Sequence, residues 1–385
     1  MDGFRMYLVP DMPSADELLP YLKKMDSNRW YSNFGPLVTE FEERLLALLS
    51  TKETLPDAEK ISITTLASCH HALEIGLQLV GVKRGDRVLL PAITFAACPL
   101  AVQRIGGEVI VADVDPTTWT LTPAIARRVA NRMSLAAVMP VTAYGVPIPA
   151  EEWDDFSRET HIPVVIDAAT TFETQPIPRQ GLVAYSFHAT KSFGIGEGGM
   201  LAGRNSEVIA QARQMSNFGT VDRICYTDGL NAKLSEYHAA VGLAQLDRWS
   251  AIKERRKRLL QLYRDYLPTL GSFASTQTGV AKAIVSTLML LLREPVAEAV
   301  KASGKERGVA FHRTYLPPLY RHPKFVGLPV VNTEGAYLDA EAPEQAKWEL
   351  MRNSEMLNRH LIGVPFHSFM TERDVEIVAR HLLQY

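Results

Sequence analysis

The sequence predicts an α/β protein, with a mostly parallel central sheet sandwiched by helices and a smaller C-terminal α+β domain. Three observations predict it. Short apolar runs at residues 61–65, 87–90, 108–112, 136–140, 163–166 and 183–187 alternate with helical patterns, as strands joined by crossover helices do. From about residue 265 this rhythm gives way to strands and helices with irregular connections. His70, Phe95, Asp167 and Lys191 all follow strand ends, the edge where open α/β sheets carry their sites. The expected division is a large domain with an N-terminal arm at 1–260 and a small domain at 261–385.

In chain order, the first 35 residues read as irregular and aromatic, ending in Trp30-Tyr31-Ser32-Asn33-Phe34-Gly35-Pro36. A helix over 37–49 follows, with Val38, Phe41, Leu45 and Leu48 on one stripe and Pro36 suited to its first turn. The strand at 61–65 leads through Ala67-Ser68 into a helix reaching about residue 80. Free amides and the helix dipole make such a start a natural phosphate site, which points to the amides of His70 and His71. Adjacent histidines do not face each other on a helix, and no further ligands lie at metal spacing, so no metal is expected. Phe95 opens the next helix, and core packing is the ordinary use of such a residue. Further helices are predicted over 123–131, 151–160 and 205–214, and a long one from about residue 234. The basic run 253–258 on that helix reads as a solvated face.

Composition narrows the class. A chain of 385 residues with net charge −2 has no basic field to favour nucleic acid or an anionic membrane. Three scattered cysteines (Cys69, Cys98, Cys225) build neither a disulfide framework nor a zinc site, which suits a reducing cytoplasm. The first residues show no cationic-then-apolar signal peptide. The longest apolar run, 283–292, is about half of a membrane span.

Two segments carry the chemistry. Residues 185–200 read YSFHATKSFGIGEGGM: a strand end, Ser186, His188, Lys191, then a Gly-rich turn containing Glu197. A lysine held there and partly dehydrated has a lowered pKa, freeing the amine to attack a carbonyl such as a cofactor aldehyde. Residues 161–171 read HIPVVIDAATT, placing Asp167 at the end of a buried strand. A buried acid is costly unless it meets a cation, and the protonated ring of pyridoxal phosphate supplies one. Helix capping is the plainer use of the same Asp.

SFHATK followed by GEGG and preceded by IDAA resembles the DegT/StrS-type nucleotide-sugar aminotransferases, and the resemblance covers nearly the whole chain. It implies pyridoxal-phosphate fold type I, with Lys191 as the cofactor-linked base and Asp167 on the ring nitrogen. It implies that Phe95 stacks on the ring, that Ser186, His70 and His71 hold the phosphate, and that Thr170 sits by the ring hydroxyl. Asn231, which otherwise reads as a capping residue, would reach the phosphate of a neighbouring subunit, making a homodimer with shared sites. Trp30, Asn33, His188, Arg313 and Tyr315 are the implied substrate contacts; a rigid loop is the alternative for the 312–320 segment. The implied partners are a nucleotide-linked keto-sugar and glutamate or glutamine as donor, in amino-sugar, surface-polysaccharide or secondary-metabolite biosynthesis. Thr142 stands where relatives commonly have His, Thr170 where they have Gln or His, and His70 where they have Thr. A sugar dehydratase of this family would carry His in place of Lys191, and a regulatory relative would be expected to lose the lysine or aspartate.

Overall fold

The computed structural model describes residues 5–50, 60–266 and 273–385; residues 1–4, where the signal-peptide reading begins, lie outside them. In chain order the elements are α1 (Ala15–Asn28), α2 (Pro36–Ser50), β1 (Ser62–Leu66), α3 (Cys69–Leu79), β2 (Arg87–Pro91), α4 (Ala97–Arg104), β3 (Glu108–Ala112) and α5 (Pro123–Ala130). Then follow β4 (Ala137–Val138), α6 (Ala150–Thr160), β5 (Val165–Asp167), β6 (Leu182–Ser186), β7 (Gly199–Gly203), α7 (Ser206–Met215), β8 (Thr220–Val221), β9 (Ile224–Cys225) and α8 (Glu236–Tyr266). The remainder comprises β10 (Ala274–Thr276), β11 (Leu288–Leu292), α9 (Ala297–Glu306), β12 (Val330–Val331), β13 (Tyr337–Leu338), α10 (Glu344–Leu350), α11 (Arg352–His360), β14 (Leu361–Val364) and α12 (Glu372–Leu382).

The central sheet has two parts, ordered β13-β12-β3-β2-β4 and β5-β6-β7-β1. Single bridges Val138–Val164 and Val141–Asp167 join them between β4 and β5. Pairing is parallel from β12 through β6, while β7 runs antiparallel to both β6 and β1. Strands β5, β6 and β7 are buried along their whole length, which explains their continuous apolar runs: helices cover both faces. The order turns at β2, flanked by β3 and β4. The carboxyl ends of β2, β4, β5 and β6 therefore open on one crevice.

The small domain is built on the antiparallel sheet β10-β11-β14, with α9 and α12 contributing to its apolar core. The segment carrying β12 and β13 returns to the large sheet, where β12 pairs with β3. Residues on the small-domain side of a cut at 260 thus also extend the large sheet.

Three sequence expectations are corrected. The first 35 residues contain α1, started by a capping box in which Ser14 and Glu17 satisfy each other's backbone amides. Gly199, expected within the Gly-rich turn, begins strand β7, whose small residues lack the β-branched signature. The basic run is only partly solvated. Arg256 is buried and donates to the Val285 carbonyl at 3.1 Å, Arg255 pairs with Asp11 at 3.0 Å, and Lys253 pairs with Glu173 at 2.9 Å. These cations tie α8 to the N-terminal arm, to the loop leading into β11 and to the connection between β5 and β6.

Candidate active site

A cavity of about 520 Å³ lies at the crevice, with Ser68, His70, Phe95, Asp167, Thr170, Ser186, His188, Lys191 and Tyr315 in its wall. The loops after β1, β2, β4, β5 and β6, the segments 286–287 and 312–315, and the N-terminal arm build it.

Ser68 caps α3, accepting from the His71 amide at 3.3 Å. The amides of Cys69 and His70 lie in the first helical turn and so have no intrahelical acceptor. This end of α3 rests directly on β7. A Cβ built on Gly199 would stand 2.3 Å from the Ser68 carbonyl carbon and 2.4 Å from the Cys69 nitrogen. Gly199→Ala is therefore expected to displace the phosphate-type site, costing about 1–3 kcal/mol of stability and weakening cofactor binding more than tenfold. Thermal unfolding and a cofactor titration check this.

Lys191 stands on a loop fastened at both ends. The Ala189 amide donates to the Gly196 carbonyl at 2.8 Å and the Ile195 amide to the Phe187 carbonyl at 2.8 Å. Gly196 has φ +100° there, a conformation open to glycine. Phe187 and Phe193, on either side of Lys191, are buried among Phe41, Phe172 and Trp249; the Phe172 and Phe193 ring centroids are 4.6 Å apart. The lysine is thus held by an aromatic floor. Burial lowers its pKa below the ordinary lysine value, opposed by the nearby Asp167 and the Cys69 and Cys98 thiols.

Asp167 ends β5 and is 4% exposed. Its Oδ1 accepts from the Ala169 amide at 2.9 Å, and Cys98 Sγ lies 2.9 Å from Oδ2. No lysine, arginine or histidine among the described residues reaches it at ion-pair distance. A buried carboxylate without a cation at a cavity wall fits a cationic ligand atom.

Thr170 lines the cavity, but its hydroxyl donates to the Thr142 carbonyl at 2.6 Å, and the Thr171 hydroxyl donates to Thr142 Oγ1 at 2.9 Å. The two threonines that set this chain apart from the family pattern thus form one hydrogen-bonded unit. Thr170 has lone pairs left for the cavity and its proton is engaged. His70 turns its Nε2 to Glu74 Oε1 at 2.9 Å. His188 Nδ1 lies 2.8 Å from Thr190 Oγ1, with Nε2 3.7 Å from Glu197.

Not every expected residue reaches the cavity. Arg313 does not line it; its guanidinium turns to Glu298 and Asn358 and is almost fully buried. His312 and Thr314 line the cavity with Arg313 between them facing the other way, and a turn in which Tyr315 takes φ +60° brings Tyr315 to the same wall. Trp30 lies outside the cavity, in a shallow surface depression with Phe34 and Thr39. Asn33 is in the same exposed turn, at φ +59°. Asn231 is exposed, and its Oδ1 accepts from Lys233 at 2.6 Å. His71 offers the cavity little, since its amide and imidazole both engage Ser68.

Sequence reasoning missed Tyr7, Ser286 and Thr287, which also line the cavity. Tyr7 donates to or accepts from Thr314 Oγ1 at 2.7 Å and stacks on His312, with centroids 4.7 Å apart. Burial pushes its hydroxyl up to about 12, so it is neutral. No local pattern marks Tyr7; only the fold brings it there.

The sequence profile of the DegT/DnrJ/EryC1/StrS aminotransferase family matches residues 14–383. The chain belongs to that family. Its similarity extends to protein Rv3402c of Mycobacterium tuberculosis, 27% identical over 379 residues, covering 96% of this chain and 87% of that one. The dTDP-4-amino-4,6-dideoxy-D-glucose transaminase of Shigella dysenteriae is 30% identical over 285 residues, 72% of either chain. A solved Bacillus cereus structure, provisionally named a PLP-dependent aminotransferase, superposes with a TM-score of 0.84 at 26% identity over 98% of both chains. Family and fold make pyridoxal phosphate the cofactor class. The site fits it: Lys191 for the aldehyde, the buried Asp167 for the ring nitrogen, and the α3 amides with Ser186 for the phosphate. Phe95, 63% exposed beside the cavity, offers a ring face.

Proposed function

We propose that the protein transfers an amino group from glutamate or glutamine to a nucleotide-linked keto-sugar. The observation that carries the reading is Lys191 and Asp167 together in one cavity whose wall also holds the α3 N-terminus. Bound pyridoxal phosphate supplies an aldehyde and an electron-withdrawing ring. The chain's own residues supply the rest. The neutral Lys191 amine takes a proton from the donor's α-carbon and later delivers one to the sugar carbon. Asp167 keeps the ring nitrogen protonated, and the α3 amides and Ser186 anchor the phosphate. Tyr7, His312, Thr314 and Tyr315 face the space left for the sugar. The naming of the Shigella relative as a dTDP-sugar transaminase supports the substrate class.

We place the sites in a homodimer. Asn231 and the Trp30–Asn33 turn face away from their own cavity, next to exposed Phe218, Ile224, Tyr226 and Tyr237. Tyr31 stacks on Tyr237, and Lys233 sits over Phe218 with its Nζ 4.8 Å from the ring centroid, so these residues form a connected surface. A second copy would bring Asn231 to the phosphate. A cytoplasmic setting fits the three free cysteines, and no helix among the described residues is long and apolar enough to cross a membrane.

The test is mass analysis of products after incubation with nucleotide-linked keto-sugars and each donor. An amino-sugar nucleotide appearing with stoichiometric 2-oxo acid supports the reading. Absence of an aminated product from every nucleotide and sugar tried sinks it.

A further inference from the structure

Asp167 has neighbours that the chemistry above does not use. Its Oδ2 faces Cys98 Sγ at 2.9 Å, and Cys69 Sγ stands 4.0 Å from Oδ1. Cys98 is in the first turn of α4 and wholly buried, with its sulfur 3.1 Å from Thr94 Oγ1. Burial and the adjacent carboxylate both push this thiol up, so it stays protonated. Toward a carboxylate, a protonated thiol is a donor. Thr94, Cys98 and Asp167 are thus lined up from α4 to the cavity wall.

We propose that Cys98 is a positioning residue for the cofactor, acting through Asp167. Its S–H donates to Oδ2, which fixes the rotation of the carboxylate. The Ala169 amide does the same for Oδ1 at 2.9 Å. With both oxygens tethered, the carboxylate is held ready for the ring nitrogen, and no side-chain cation among the described residues reaches it at ion-pair distance. The inference rests on the pyridoxal-phosphate reading of the site.

The competing explanation is that Cys98 merely fills space, as buried cysteines often do. Three variants separate the two. Cys98→Ala and Cys98→Val remove the donor, one leaving a void and one keeping the bulk, while Cys98→Ser keeps a donor in a smaller side chain. The readouts are the affinity of the apoprotein for pyridoxal phosphate and thermal unfolding. Alanine and valine are expected to weaken binding about tenfold, the worth of one hydrogen bond to a charged group. Serine should restore affinity even if its melting temperature is lowest.

Unchanged affinity in alanine and valine would overturn the proposal. So would losses that follow melting temperature, with serine no better than alanine. If valine does not fold, the alanine–serine pair carries the comparison. A wild-type protein that binds no pyridoxal phosphate would instead refute the reading of the site, so the two failures are distinguishable.

Discussion

Lys191→Ala is expected to reduce amino transfer by a factor on the order of 10⁵, the scale on which loss of a covalent catalytic group acts. In the proposed mechanism its amine both captures the cofactor aldehyde and moves the substrate proton, so no neighbour substitutes for it. The fold should survive, because the loop is held by backbone bonds and by Phe187 and Phe193 rather than by the lysine head. Steady-state kinetics give the loss, the visible absorbance of lysine-bound cofactor should vanish, and circular dichroism should be unchanged. The lowered pKa of the wild-type amine adds a sign to this. At a given pH below its pKa, more of it is neutral than of an exposed lysine. Cofactor capture by the apoprotein should therefore reach its plateau at lower pH than the reaction of free pyridoxal phosphate with an exposed lysine.

Asp167→Asn carries the second-largest effect. The amide matches the carboxylate in shape but not in charge, so the ring nitrogen loses the anion that keeps it protonated. Turnover should fall on the order of 10²–10³-fold, as when one preorganised electrostatic partner is removed, and cofactor affinity should fall with it. Stability should change in the opposite sense in the apoprotein: no cation among the described residues meets this buried carboxylate at ion-pair distance, so its removal relieves a desolvation cost. A variant with normal turnover and affinity would show that Asp167 only caps the turn to Ala169.

Legibility followed the range of the forces involved. Lys191, Asp167, Ser186 and the α3 start were readable because each chemistry is written locally, as a strand end followed by a particular residue. The parallel sheet was readable from buried strands with continuous apolar runs. Arg313 was misread because the sequence shows a cation among cavity residues but not the alternation that turns it toward Glu298. Tyr7 and Cys98 were invisible as site residues. The first lies far along the chain from the strand ends, and the second has the composition of ordinary core. Helix α1 was legible and overlooked, since Ser14 and Glu17 have capping-box spacing. The departures at Thr142 and Thr170 were seen as separate, and only the fold joins them through a 2.6 Å hydrogen bond.

The most direct test of the central claim is a two-step absorbance experiment on the cofactor-loaded protein. Glutamate or glutamine should discharge the visible band into the near-ultraviolet, and a nucleotide-linked keto-sugar should then restore it. Together these results establish donor, acceptor and cofactor in a single cuvette. A protein that takes up no pyridoxal phosphate, or a band that neither donor discharges, would contradict the account.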